Sequence, residues 1–251
     1  MHVLLGIPYS PWTERARWAL DAAEVPYRFL RYRPMLGEVG LRLRRRGLSG
    51  KATVPVLTDD AGRAMLGDSV EIARWAGARN EARSLFSAKH DAEIMQWVAL
   101  TERGLAPARG LVQRNMAASA AVLAEQVPGP LPKSVRAAVA SVGVKYFRHK
   151  YDIGRIDQHT ADKAALDSVL AEVERGLGKN DYLVGGALTY ADVAVATMLH
   201  GVRPVDVPHI RMSPALRACW TVPDLATRYA PLIAWRDELY ARSRPVARRA
   251  A

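Results

Sequence analysis

Three short stretches of this chain carry residue types that can do chemistry. In the first, Ser10 follows Val3 to Ile7, an apolar run ended by Pro8, and precedes Trp12, Ala16, Ala19, Leu20 and Ala23 at helical spacing. A hydroxyl at that point sits at a helix N-terminus. It either caps the helix or, together with the helix dipole, favours an anion held in front of it. Thr13 is the nearest substitute donor and Tyr9 a weaker one. In the second stretch, Pro55 interrupts the apolar Val54 and Val56, although proline is poorly tolerated inside a sheet and belongs on an edge. In the third, Asp68-Ser69 opens another helical pattern. An acid and a hydroxyl there serve as caps, or as acceptor and donor for a charged ligand end.

The elements that must position these residues alternate in type. Val3 to Ile7 reads as a strand and the segment after Ser10 as an amphipathic helix; Pro26 to Tyr32 alternates with period two as a second strand. With a helix between them the two strands are expected to run parallel. A basic, glycine-punctuated stretch follows. Thr53 to Leu57 and Arg63 to Leu66 then flank Thr58-Asp59-Asp60-Ala61-Gly62, a turn signal that predicts a hairpin. Val70, Ile72, Ala73 and Ala76 supply the apolar contacts of the helix after Asp68. The order is βαβ, then ββα.

From about Ala88 strand signals nearly vanish. His90 to Met116 carries a long helical pattern, and Leu166, Val169, Leu170, Val173 and Leu177 mark a second apolar stripe. Thr189 to Asp192 has the form of a capping box with Asp in place of Glu, and Leu188 is placed to staple against Val193. Between Gln126 and Gln158 a Pro-Gly break precedes basic and aromatic residues with no single period.

Composition bounds the function. At 251 residues, 49% hydrophobic and 24% charged, the chain is expected to form an ordinary globular fold of one large or two small domains. No apolar run approaches the length of a membrane span, and the start lacks a basic n-region, so the reading is a cytoplasmic protein. The single cysteine, Cys219, excludes an internal disulfide and a CxxC redox pair. The six histidines form no HExxH-like cluster, so no metal site is inferred. Gly47 to Ala52 imitates a phosphate loop, but its first spacing is short and Ala52 stands where the magnesium-binding hydroxyl belongs; it also lacks the closing glycine of a nucleophile elbow. A net charge of +11 raises the question of nucleic acid. The runs Arg42, Arg44, Arg45, Arg46 and Arg242, Arg244, Arg248, Arg249 are short and not interleaved with aromatics, and read as solvated faces or tails.

The βαβ-ββα order, the Val54-Pro55 step, Asp68-Ser69 at a helix start and the helical second half together resemble the cytosolic glutathione transferase superfamily, and Tyr9 to Leu20 resembles its serine-type loop. Ala230 to Arg236 resembles the family's final helix. The family more often has Glu where Asp68 stands, and Gln126 to Gln158 is longer than its common inter-helix connection. The resemblance implies a thioredoxin-like glutathione-binding domain over 1–79 and an all-helical domain over 88–251 that forms the electrophile site. It implies that Ser10 donates to the glutathione sulfur, stabilising a thiolate without being a nucleophile. It implies a cis Val54-Pro55 bond that lets the Val54 backbone pair with the cysteinyl unit, Asp68 and Ser69 at the γ-glutamyl end, and Lys51 at the glycyl carboxylate. Tyr9, Pro11, Trp12 and Thr13 would border the electrophile, between that loop and the first long helix of the second half. The implied activity is conjugation of glutathione, as co-substrate and without metal, to small hydrophobic electrophiles by a homodimer. Glutathione-dependent isomerisation, peroxide reduction or dehalogenation would use the same site. The rival from another class is a non-catalytic binding module with a macromolecular partner. The segment 126–158 is expected to add helical structure over the electrophile pocket.

Overall fold

In the computed structural model, which describes residues 1–32, 38–44, 53–126 and 157–244, a small sheet domain leads into a helical bundle. The first part runs β1 (His2–Gly6), α1 (Pro11–Ala22), β2 (Tyr27–Arg31), α2 (Glu38–Arg44), β3 (Val56–Thr58), β4 (Ala64–Leu66) and α3 (Ser69–Gly77). The sheet order is β2-β1-β3-β4, with β1 parallel to β2 and antiparallel to β3. The expected βαβ-ββα order is therefore present. Two details differ. β3 begins at Val56, so Thr53, Val54 and Pro55 lie outside it, as a residue without an N–H requires. And the basic stretch contains α2, which the sequence reading left unassigned.

Alternation along β1 divides the domain into layers. Leu4 packs with Ala16 and Leu20 of α1, Leu57 of β3 and Ile72 of α3. Leu5, pointing the other way, packs with Val56 and with Leu41 of α2. One sheet face thus carries α1 and α3, and the other carries α2. At the end of β1, a Cβ on Gly6 would stand 2.3 Å from Thr13 Cγ2, so only glycine lets α1 start this close to the strand.

The second part contains α4 (Asp91–Ala118), α5 (Ala120–Gln126), α6 (Asp157–Leu177), α7 (Tyr190–Met198), α8 (Pro214–Cys219), α9 (Pro223–Arg228) and α10 (Ala230–Ser243). Helix α7 is buried along its whole length, and the main core gathers around it, from Ile94 and Leu105 of α4 to Leu170 of α6 and Leu239 of α10. Its start is fixed by the expected box: Asp192 accepts from the Thr189 N–H at 2.7 Å and also from the Leu183 N–H at 2.7 Å. The segment between α5 and α6, where helical cover was expected, lies outside the described residues. No helix among the described residues is long and apolar enough to cross a membrane.

Helix α1 is gripped by the bundle through buried charge. Arg15, wholly buried, pairs with Glu102 of α4 and donates to Thr101 Oγ1 at 2.9 Å, Ala194 O at 3.2 Å and Thr197 Oγ1 at 3.1 Å. At the preceding residue, Glu14 accepts from Arg244 Nε at 2.7 Å and pairs with His209 Nε2 at 2.8 Å, and Arg244 also reaches Asp21 at 2.8 Å. Arg244 is thus no solvated tail residue, as its basic run suggested; it is 8% exposed. Burial alone would raise the Glu14 carboxyl, but Arg244, His209 and Arg17 outweigh it and hold the group far below the usual carboxylate range.

His200, in the short turn after α7, is 1% exposed and its Nε2 lies 2.9 Å from the Tyr240 hydroxyl. Burial, then the Arg236 charge, push its imidazole down to about 3. The folded protein therefore keeps this ring neutral while the unfolded chain protonates it below its ordinary value of 6.5. Its contribution to stability is complete above that value and is lost as pH falls towards about 3. Between pH 7 and 5 the loss is expected to be on the order of 2 kcal/mol. Urea titrations at both pH values on the wild type and on His200→Gln should show a smaller drop in the variant; equal drops would remove His200 as the cause.

Candidate functional site

A cavity of about 430 Å³ opens between the loop before α1 and the long helix α4, a size ordinary for a small-ligand site. Most of the residues that chemistry singled out converge on it: Tyr9, Ser10, Pro11 and Trp12 on one side, Val54, Pro55, Asp68 and Ser69 on another. Two do not. Lys51 lies outside the described residues. Thr13 is wholly buried, with its Oγ1 accepting from the Ile7 N–H at 3.2 Å and its methyl against Gly6, so it lines no wall and cannot border an electrophile.

Ser10 occupies the N-cap position of α1 with an extended backbone, yet its side chain makes no capping bond. Its N–H bonds to Ile7 O at 3.0 Å and its carbonyl accepts from Glu14 N at 2.9 Å, so the backbone is spent and the hydroxyl is left for the cavity. Pro11 at the first helical position needs no N–H there. The helix start thus offers a hydroxyl that bonds to no other group among the described residues, and the positive end of a dipole.

The Val54-Pro55 bond is cis, as expected. Neither backbone group of Val54 has a hydrogen-bond partner among the described residues, which leaves an N–H and a C=O at the cavity for an extended ligand. At α3, one Asp68 oxygen accepts from Val70 N at 2.7 Å and from Glu71 N at 3.2 Å. The capping reading is therefore true, but it uses one oxygen only, and the second accepts no hydrogen bond among the described residues. Ser69 is 2% exposed, beside the buried Tyr190 phenol, whose pKa burial pushes up to about 12.

The opposite wall is one face of α4. Glu102, Leu105, Arg109, Val112, Gln113 and Met116 recur at helical spacing along it. Glu102, half-exposed, is held by Arg15 from beneath and by Trp12 Nε1 at 3.1 Å from the side. Arg109 stands 5.7 Å from the Trp12 ring centre, and Trp220 meets Tyr9 edge-on at 5.6 Å between ring centres. The sequence reading named none of Glu102, Arg109 and Trp220; the only signal of the first two was a charge on an otherwise apolar helical face, and Trp220, just past the end of α8, gave none. Cys219 is buried, its thiol pushed up by burial. Among the described residues no cluster of three metal-ligating side chains occurs.

A mixed sheet flanked by helices, followed by an all-helical domain and with a cavity between them, is a thioredoxin-like domain joined to a helical partner. Models of the glutathione S-transferase N-terminal domain and C-terminal domain match residues 9–79 and 156–238. The chain belongs to the glutathione S-transferase superfamily. Similar solved structures include a glutathione S-transferase from Methylobacterium radiotolerans in complex with glutathione sulfonate, at 18% identity and TM-score 0.62, covering 100% of this chain and 97% of that one. Another, from Methylobacillus flagellatus with glutathione bound, shows 16% identity and TM-score 0.60 over 96% and 95% of the two chains. A third, from Pseudomonas fluorescens, shows 14% identity and TM-score 0.62 over 98% of each. No curated protein matches the sequence significantly.

Proposed function

We propose that this protein is a serine-type glutathione transferase, in which glutathione lies along the sheet side of the cavity and a small apolar electrophile lies against α4. The observation that carries the reading is the Ser10 hydroxyl, unused as a cap, opening into the same cavity as the Val54 backbone and Asp68-Ser69. In this arrangement the Val54 N–H and C=O pair with the cysteinyl unit like an added strand. The open oxygen of Asp68 takes the γ-glutamyl ammonium, and Ser69 with the α3 N-terminus takes its carboxylate. Lys51 is assigned to the glycyl carboxylate. Ser10 donates to sulfur, and its bond and the helix dipole favour the thiolate over the thiol. The thiol proton passes to water, the thiolate attacks the electrophilic carbon, a C–S bond forms and the leaving group departs with its electron pair. The walls around Trp12, Leu105 and Val112 desolvate the electrophile. A two-fold homodimer in the cytoplasm completes the reading.

Calorimetry with glutathione and retention on immobilised glutathione test it: binding is expected. No binding would favour the non-catalytic module, while binding without turnover of aromatic halides would favour isomerisation, peroxide reduction or dehalogenation. Asp68→Asn keeps an acceptor for the α3 cap but removes the charge. It is expected to raise the glutathione Kd about ten- to hundredfold, as loss of a charge-assisted bond does, with little change in thermal stability. An unchanged Kd would remove Asp68 from the γ-glutamyl end.

A further inference from the structure

We propose that Tyr190 is a positioning residue of the glutathione site: its phenol donates to the Ser69 oxygen while the Ser69 hydroxyl donates to the γ-glutamyl carboxylate. The inference rests on the transferase reading. It gives the helical bundle a part in a contact that the sheet side of the cavity would otherwise make alone. Three observations carry it. First, Tyr190 is wholly buried, and its hydroxyl makes no hydrogen bond of ordinary geometry among the described residues. A buried donor without an acceptor is costly and calls for an explanation. Second, the hydroxyl that interacts with it is that of Ser69, which lines the cavity and is 2% exposed. The α3 cap is made by Asp68, so capping lays no claim on the Ser69 side chain. Third, the phenol is fixed from the bundle side. The Tyr190 N–H bonds to Leu85 O at 2.8 Å, and its ring stacks on Phe86 with centres 4.9 Å apart and planes at 25°.

The chemistry of two neighbouring hydroxyls sets the direction of the relay. Each carries one proton and two lone pairs. Once the Ser69 proton is committed to a carboxylate in front of α3, its oxygen can only accept from behind, and the phenol gains the acceptor it lacks. Each bond polarises the next, so the Ser69 contact is stronger with Tyr190 at its back. The phenol is suited to this part because it stays protonated. Burial, supported by Asp68 and Glu102, outweighs the Arg15 charge and pushes its pKa up to about 12.

Two ligands separate this role from a structural one: glutathione, and γ-aminobutyryl-cysteinylglycine, which lacks only the γ-glutamyl carboxylate. Their Kd values would be measured by calorimetry on the wild type, Tyr190→Phe, Ser69→Ala and the double variant. Tyr190→Phe is expected to raise the glutathione Kd about two- to tenfold, the range for one neutral hydrogen bond, and to leave the Kd of the analogue unchanged. In the Ser69→Ala background the same substitution is expected to have no further effect on glutathione, because the group it acts through is gone. The melting temperature of Tyr190→Phe should not fall, since the hydroxyl removed has no bond to lose. Equal weakening of both ligands, or an undiminished effect on glutathione in Ser69→Ala, overturns the relay and leaves the glutathione site standing. If glutathione does not bind the wild type, the transferase reading fails and takes the relay with it.

Discussion

Ser10→Ala is expected to lower the rate of conjugation of an aromatic halide by about ten- to hundredfold, the loss of one hydrogen bond to a charged sulfur. The glutathione Kd should change little, because the contacts at Val54, Asp68 and Ser69 remain. Absorbance of the bound thiolate against pH should show its titration moving upward. Thr13→Ala is the informative control. Its hydroxyl already accepts from Ile7 N and its methyl fills the space over Gly6, so the variant leaves a part-buried N–H without this acceptor beside a small void. The expected cost is about 1–3 kcal/mol of stability, with no movement of the thiolate titration. A titration that shifts in Thr13→Ala but not in Ser10→Ala would reverse the two assignments. If neither variant moves it, no hydroxyl of this loop activates the sulfur.

How far this site was legible in the sequence depends on which force places each residue. Local signals located Ser10, Asp68 and Pro55, since an N-cap serine, an N-cap aspartate and a proline beside a strand each declare their backbone geometry. Choosing between Ser10 and Thr13 needed the phase of α1 against β1, which is set by the contact between Thr13 and Gly6, 7 positions apart in sequence and invisible to periodicity. The α4 wall was hidden for another reason. Leu105 and Val112 recur at the spacing of a core stripe, and a helical face against a cavity has the same period as one against a core. Glu102 and Arg109 on that face looked like ordinary solvated charge. Helix α2 escaped notice because Gly40 weakens an already short segment, and its anchor, Leu41, acts through residues distant in sequence, Leu5, Tyr32 and Val56. The layers of both domains, by contrast, followed from alternation and helical stripes, because there burial alone decides.

Arg244 shows the same limit from the opposite side, and the ion cluster it completes supplies the largest expected effect on stability. Glu14 is wholly buried, and its Oε2 has no hydrogen-bond partner among the described residues while Arg17 lies 3.8 Å away. Glu14→Ala would leave Arg244 and Arg17, both mostly buried, without the carboxylate between them, although Asp21 would still pair with Arg244. Removing one partner of such a pair costs about 3–5 kcal/mol, because the other charge stays out of water. For a chain of this size that corresponds to a fall in Tm of about 6–20 °C. Arg244→Met should cost less, since His209 remains 2.8 Å from Glu14 and still faces its carboxylate. The double variant Glu14→Ala/Arg244→Met should be more stable than the sum of the two losses, as the uncompensated charge disappears with its partner. Additive losses would mean that the two side chains act through packing alone. Because Ser10 and Trp12 ride on the first turn of α1, and Glu14 and Arg15 fasten the next, the same variants bear on function. Below their melting temperatures they should retain the Ser10-dependent thiolate titration. Its loss in a still-folded Glu14→Ala protein would show that the cluster holds the helix start in place, and not merely the two domains together.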